Sequence, residues 1–241
     1  MKIAAVKQED GINRREGTLS ENSVSYFEEA DIYEVFAQAE DAPGLVTEFL
    51  IEHLHGKRVL DLGCGTGKYT LLLAPFVEHI FGLDVSPEQI SIAHDKLTAM
   101  QNVQLYCTAA QSIPVPFSSV DAVLSAWVLG TILEEDRRAK ALREAERIVK
   151  PGGSIYLVEN DIGGAFESLR GRYPDIARTK GYNDWLEAHG FEPAARFDSH
   201  FNFSSVEEAQ QVIQAIWGDS ASERVKSEKI EHKIIIYEKK L

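Results

Sequence analysis

The chain has 241 residues, 44% of them hydrophobic and 26% charged, with a formal net charge of -13, which is room for one large domain of ordinary globular composition. That charge opposes binding to nucleic-acid phosphates or an anionic membrane surface, both of which need clustered lysine and arginine. The two cysteines, Cys64 and Cys107, stand in no CxxC or Cys/His spacing, so neither a disulfide framework nor a metal site is expected.

The first ten residues turn polar too early for a secretory leader, and the most apolar run, residues 71–77, is short and contains Pro75; a cytoplasmic protein is expected. Residues 1–25 read as a mobile polar arm. A helical pattern follows over residues 26–54, broken near Asp41-Ala42-Pro43-Gly44, with Leu45, Phe49, Leu50 and Leu54 at helical spacing. Residues 1–54 are therefore expected to form an arm and helical cap on residues 55–241, the whole being one structural domain.

The first strand is expected over residues 58–62, followed by a helix over 70–76 and a second strand over 79–84. Ser86-Pro87-Glu88-Gln89 is a helix start: Ser86 at the N-cap, Pro87 at the first helical position, and Gln89 closing a capping box. Strands are expected over 103–107 and 120–127, the latter continuous and apolar as buried parallel strands are. A charged amphipathic helix over 134–149 is stopped by Lys150-Pro151-Gly152-Gly153, and a fifth strand runs over 154–159. This alternation predicts a doubly wound α/β sheet. Farther on, residues 163–182 read as loop or short helix, 183–189 and 206–217 as helices, and 195–203 and 233–238 as strands whose hairpin-like pairing would make the sheet mixed.

The chemistry centres on Val59-Leu60-Asp61-Leu62-Gly63-Cys64-Gly65-Thr66-Gly67. Glycines here can take positive φ and let a ligand approach bare backbone. A dinucleotide site would read GxGxxG and grip a pyrophosphate, but Lys68 stands where its last glycine belongs and Asp61 precedes the turn. An acid there suits a cationic ligand with an amino-acid tail. Asp84 ends the second strand about twenty residues on, where a carboxylate accepts from the ribose hydroxyls of an adenosine.

These residues resemble the first motif and the ribose-binding acid of class I S-adenosylmethionine-dependent methyltransferases. Ile113-Pro114-Val115-Pro116-Phe117 with Val120-Asp121-Ala122-Val123 resembles the fourth-strand region of the small-molecule branch related to quinone-biosynthesis C-methyltransferases. Arg147-Ile148-Val149-Lys150-Pro151-Gly152-Gly153 resembles the turn before the fifth strand. The resemblance spans residues 55–160. It implies a seven-stranded Rossmann-like sheet of order 3-2-1-4-5-7-6 with the last strand antiparallel, and S-adenosyl-L-methionine across the carboxyl ends of strands 1, 2 and 4. Asp61, Gly63, Cys64 and Gly65 would hold the methionine part, Asp84 the ribose, Val85 and the segment Ala110-Gln111 the adenine, while Ser125 and Trp127 would border the sulfonium. Two departures stand out: Ala109 occupies the place of an adenine-binding acid, and Gly130 and Thr131 replace a histidine pair.

On the acceptor side the candidates are Tyr26 and Tyr33 in the cap, Trp127, and the cluster Glu159-Asn160-Asp161 after the fifth strand. Arg170, Arg172 and Arg178 near Tyr173 and Tyr182 read either as an anion site or as a solvated loop. The expected function is transfer of a methyl group to O, N or C of a small molecule, by a monomer or homodimer. A silent cofactor-binding regulatory module and a protein methyltransferase are the alternatives; Lys68 and Asp61 disfavour a nicotinamide-dependent oxidoreductase. Neither a catalytic base nor the acceptor can be read from these residues.

Overall fold

The computed structural model describes residues 3–4, 29–170 and 176–241. Its strands are β1 (Ile3–Ala4), β2 (Arg58–Leu62), β3 (His79–Asp84), β4 (Val103–Cys107), β5 (Val120–Ala126), β6 (Val149–Asn160), β7 (Glu192–Asn202) and β8 (Lys229–Lys240). The helices are α1 (Ala30–Ala39), α2 (Leu45–Leu54), α3 (Lys68–Leu73), α4 (Pro87–Leu97), α5 (Glu135–Ile148), α6 (Gly164–Arg170), α7 (Ile176–Ala188), α8 (Val206–Trp217) and α9 (Asp219–Ser222).

The sheet runs β1-β4-β3-β2-β5-β6-β8-β7. Counted from β2, seven strands have the order 3-2-1-4-5-7-6, with β8 antiparallel to both its neighbours. β1 adds a two-residue parallel edge beside β4, an addition to the seven strands the sequence predicts. The other residues of the expected arm, and Tyr26 at the start of the expected cap, lie outside the described residues.

Successive residues of β2 feed opposite layers, as the period of a strand requires. Val59 packs with Leu50, Leu54, Leu73, Ala93 and Leu97 on the face of α2, α3 and α4. Leu60 and Leu62 pack with Leu142, Ala145 and Ile148 of α5 on the other face. A third cluster joins Phe36 of α1 to Phe166, Phe201 and Ile213. It seats the cap over the β8 side of the sheet.

Several local expectations need correction. The helix expected over 70–76 begins at Lys68 and ends at Leu73, with Pro75 just beyond it as a natural stop. Gln89 does not close a capping box. Its backbone N–H donates to Ser86 Oγ at 3.2 Å, while the Ser86 N–H donates to Asp84 Oδ1 at 2.9 Å, so Asp84 supplies the second half of the cap. Lys150-Pro151-Gly152-Gly153 ends α5 but lies within β6, where the pairing jumps from Val120↔Val149 to Ala122↔Ser154 and the intervening residues bulge. The helix expected over 183–189 starts earlier, at Ile176.

Candidate functional site

Asp61, Asp84 and the end of β5 converge at the carboxyl ends of the parallel strands, where the chain leaves β2 for α3, the switch point of a doubly wound sheet. Gly63, Gly65 and Gly67 have φ of 76°, 55° and 83°. The turn is tied to the neighbouring strand, since the N–H groups of Gly63 and Cys64 donate to Leu83 O at 2.7 and 2.9 Å. Asp84 uses its other oxygen, Oδ2, to accept from Gly65 N–H at 3.0 Å. Its carboxylate therefore clamps the glycine turn and the start of α4 together. Burial raises its pKa.

Asp61 is buried at the end of β2 and accepts from Thr70 Oγ1 at 2.6 Å. Desolvation pushes its pKa up to about 7, as expected of a carboxylate held in a dry interior. Trp127 follows β5 with φ of 56°. A left-handed backbone at a bulky residue stores about 1–3 kcal/mol and is found where surrounding structure enforces it. Here the Trp127 N–H donates to Val158 O at 2.9 Å, which locks the turn and aims the indole beside Tyr69, with ring centroids 6.2 Å apart.

A small cavity of about 20 Å³ lies between these groups, lined by Tyr33, Ala37, Glu40, Asp61, Gly63, Cys64, Thr66, Lys68, Tyr69, Ala126 and Trp127. The first three belong to α1 or its C-cap, so the cap forms the roof. An ion pair from Lys96 to Glu34, 2.7 Å, and the Lys68 ammonium donating to Glu40 O hold that roof down. A larger groove of about 720 Å³ lies outside α1, between it and the start of α4, and is lined by Glu29, Asp31, Pro87 and Glu88 among others. None of the strand-end acids faces it.

Residues 60–157 match the family model described as a methyltransferase domain. These residues form a methyltransferase domain. Its curated relatives include an uncharacterised methyltransferase of Bacillus subtilis, YcgJ, 31% identical over 58% of this chain and 55% of that one. A demethylmenaquinone methyltransferase of Tropheryma whipplei is 32% identical over 54% of this chain and 59% of its own. The chain thus spans little more than half the length of these curated relatives. Among solved structures, YcgJ of Bacillus subtilis superposes with a TM-score of 0.56 at 20% identity, covering 82% of this chain and 97% of that one. An S-adenosylmethionine-dependent methyltransferase from Aquifex aeolicus gives 0.55 at 19%, covering 85% and 98%. These likenesses establish the class I methyltransferase fold.

Within this domain, the donor set fits a sulfonium nucleoside with an amino-acid tail. Among the described residues, Tyr69 OH, Ser125 Oγ and Trp127 Nε1 are buried without a hydrogen-bond partner, and unsatisfied buried polar atoms mark a place for polar atoms of something else. Asp61 offers an acceptor to an ammonium, while Lys68 and the Tyr69 hydroxyl offer donors to a carboxylate. The volume is another matter. About 20 Å³ is the room of roughly one water molecule, so with α1 in this position the cavity is smaller than such a ligand.

Tyr33, Asp61, Gly63, Cys64 and Trp127 meet at the cavity, and Gly65 and Asp84 adjoin it through their mutual hydrogen bond. Ser125 is fully buried in β5. Val85 is exposed before α4, and Gln111 on the loop after β4 donates to Arg137 O at 3.4 Å. Asn160 turns to His232, whereas Asp161 pairs with Arg196 at 3.0 Å. Of the arginine and tyrosine group, Arg172 and Tyr173 lie outside the described residues; Tyr182 donates to the buried Glu159 at 2.8 Å.

Proposed function

We propose that the chain is an S-adenosylmethionine-dependent methyltransferase acting on a small-molecule acceptor at O, N or C. What carries the reading is one juxtaposition within a methyltransferase domain: the glycine turn held between Asp61 and Asp84, with unpartnered polar atoms of Tyr69 and Trp127 beside it. In this reading Asp61 and the backbone at Gly63, Cys64 and Gly65 hold the amino-acid end, Asp84 the ribose, and Val85, Ala110 and Gln111 the adenine. Ser125 and Trp127 border the sulfonium. The bound cofactor supplies an activated methyl group, the electron pair of its carbon–sulfur bond remaining on sulfur. The protein's part is to position the acceptor in line and exclude water, and α1 closing over the cavity does both. A roof this close suits a small acceptor, and the net charge of -13 disfavours a nucleic acid.

Titration calorimetry with S-adenosylhomocysteine tests this. Wild type is expected to bind, and Asp84→Ala to bind about 10–100-fold more weakly, as loss of a charged hydrogen-bond acceptor implies. Absence of binding to the wild type sinks the proposal. The tightness of the cavity favours one second reading, a cofactor-binding module without transfer; it is preferred if S-adenosylhomocysteine binds and labelled methyl reaches no acceptor in a metabolite extract.

A further inference from the structure

Across the cavity from the glycine turn, the fold buries a second set of ionisable groups that the cofactor reading does not use. His232 on β8 is wholly enclosed and alternates with buried Ile230 and Ile234. Its Nε2 lies 2.9 Å from Asn160 Oδ1 at the end of β6. An amide oxygen only accepts, so Nε2 carries the proton and Nδ1 keeps a lone pair. That Nδ1 has no hydrogen-bond partner among the described residues and faces Glu40 Oε1 at 3.7 Å. Glu40 itself lines the cavity beside Trp127. Around the imidazole stand Phe166, Phe201 and Trp127, at centroid distances of 4.7, 4.9 and 5.9 Å.

Resting on the methyltransferase reading, we propose that Glu40 is the base that takes the acceptor's proton, that His232 and Asn160 are positioning residues behind it, and that the acceptor is a phenol-type hydroxyl. In the transfer, an oxygen lone pair forms the new bond to the methyl carbon and the carbon–sulfur pair stays on sulfur. The hydroxyl proton passes to the Glu40 carboxylate, whose Oε1 lies 3.7 Å from the Nδ1 lone pair.

Acidity selects the hydroxyl. Burial raises Glu40 to about 8, within about two units of a phenol near 10 and far below an aliphatic alcohol. Lys68 of α3 and Arg170 of α6 favour the carboxylate, while neighbouring Asp41 opposes it; Tyr69 of α3 and His232 of β8 complete the surroundings. His232 is kept neutral by burial, with Arg170 and Lys68 adding to the effect, so its lone pair stays available.

Methyl-labelled S-adenosylmethionine is offered at pH 8 with phenol or with 4-nitrophenol, which is largely ionised there and needs no base. Wild type is expected to label both. Glu40→Gln lowers the ratio of phenol to 4-nitrophenol rates by about 100-fold, with S-adenosylhomocysteine affinity in calorimetry held within about threefold. In wild type the phenol rate rises with pH through a midpoint near 8. His232→Asn, whose amide can donate to the carboxylate, moves that midpoint down by about one unit. Equal losses on both acceptors, loss of S-adenosylhomocysteine binding in Glu40→Gln, or an unmoved midpoint in His232→Asn each overturns the proposal. Wild-type binding of S-adenosylhomocysteine without transfer to either phenol overturns it while leaving the cofactor reading intact; no binding overturns both.

Discussion

Gly63→Ala separates the two demands placed on the glycine turn. Gly63 has φ of 76°, and a Cβ added there would stand 2.2 Å from Val128 Cγ2, 2.9 Å from Cγ1 and 3.1 Å from Cβ. The left-handed backbone costs an L-residue about 1–2 kcal/mol. Overpacking against a β-branched side chain with little rotamer freedom adds about 1–3 kcal/mol. Together these give about 2–5 kcal/mol, a large share of the roughly 5–15 kcal/mol that stabilises a domain. Urea denaturation followed by circular dichroism and tryptophan fluorescence reads the loss. The double variant Gly63→Ala/Val128→Ala removes both Cγ atoms and leaves the 3.1 Å contact, so it should recover the steric part, about 1–3 kcal/mol relative to additivity, while the backbone part persists. A single variant within about 0.5 kcal/mol of wild type, or a strictly additive double variant, would refute the account of Val128 packed on the turn.

Two further outcomes follow from the buried acids and the roof. Burial holds Asp61 at about 7 and Glu40 and Glu159 at about 8, whereas unfolded carboxylates lose their protons near pH 4. The folded state therefore binds more protons than the unfolded state between about pH 4 and 8, and stability falls as pH rises through that window. The urea midpoint should drop between pH 5 and 8, and Asp61→Asn should flatten part of the slope; a rising midpoint contradicts it. Lys96→Ala releases the Glu34 carboxylate, whose two oxygens lie 2.7 and 2.9 Å from the ammonium. An ion pair of this kind is worth about 0.5–1 kcal/mol, so opening of α1 becomes about 2–5 times more frequent and stopped-flow association of S-adenosylhomocysteine accelerates equally. An unchanged or slower rate removes α1 from the entry path.

The glycine turn and the two acids that flank it were legible because they are local. Asp61, the glycines and Asp84 lie within 24 residues, and each is explained by its own backbone: a strand end, a turn, a second strand end. What escaped is contact across long separations. Glu40 meets His232 through the packing of Phe36 on Phe201 and Phe166, and nothing within either segment encodes that meeting. One partial signal was present. The alternation Ile230, His232, Ile234 puts the histidine on the inward face of a strand, and an inward histidine needs a partner. Gln89 misled for the opposite reason. Its spacing from Ser86 satisfies the capping pattern, but Asp84, brought close by β3, takes the Ser86 N–H instead.

The clamp at Asp84 also bears on how tightly a nucleoside is held. Both carboxylate oxygens already accept from backbone, one from Gly65 and one from Ser86, and each retains a further lone pair. The side chain has lost its rotational freedom during folding, so in the proposed cofactor complex ribose hydroxyls would meet an acceptor with no conformational search left to make. Immobilising a side chain on binding costs about 0.5–1.5 kcal/mol, and here folding has already met that cost. The saving should show as a less unfavourable entropy of association, with no added contact to account for it.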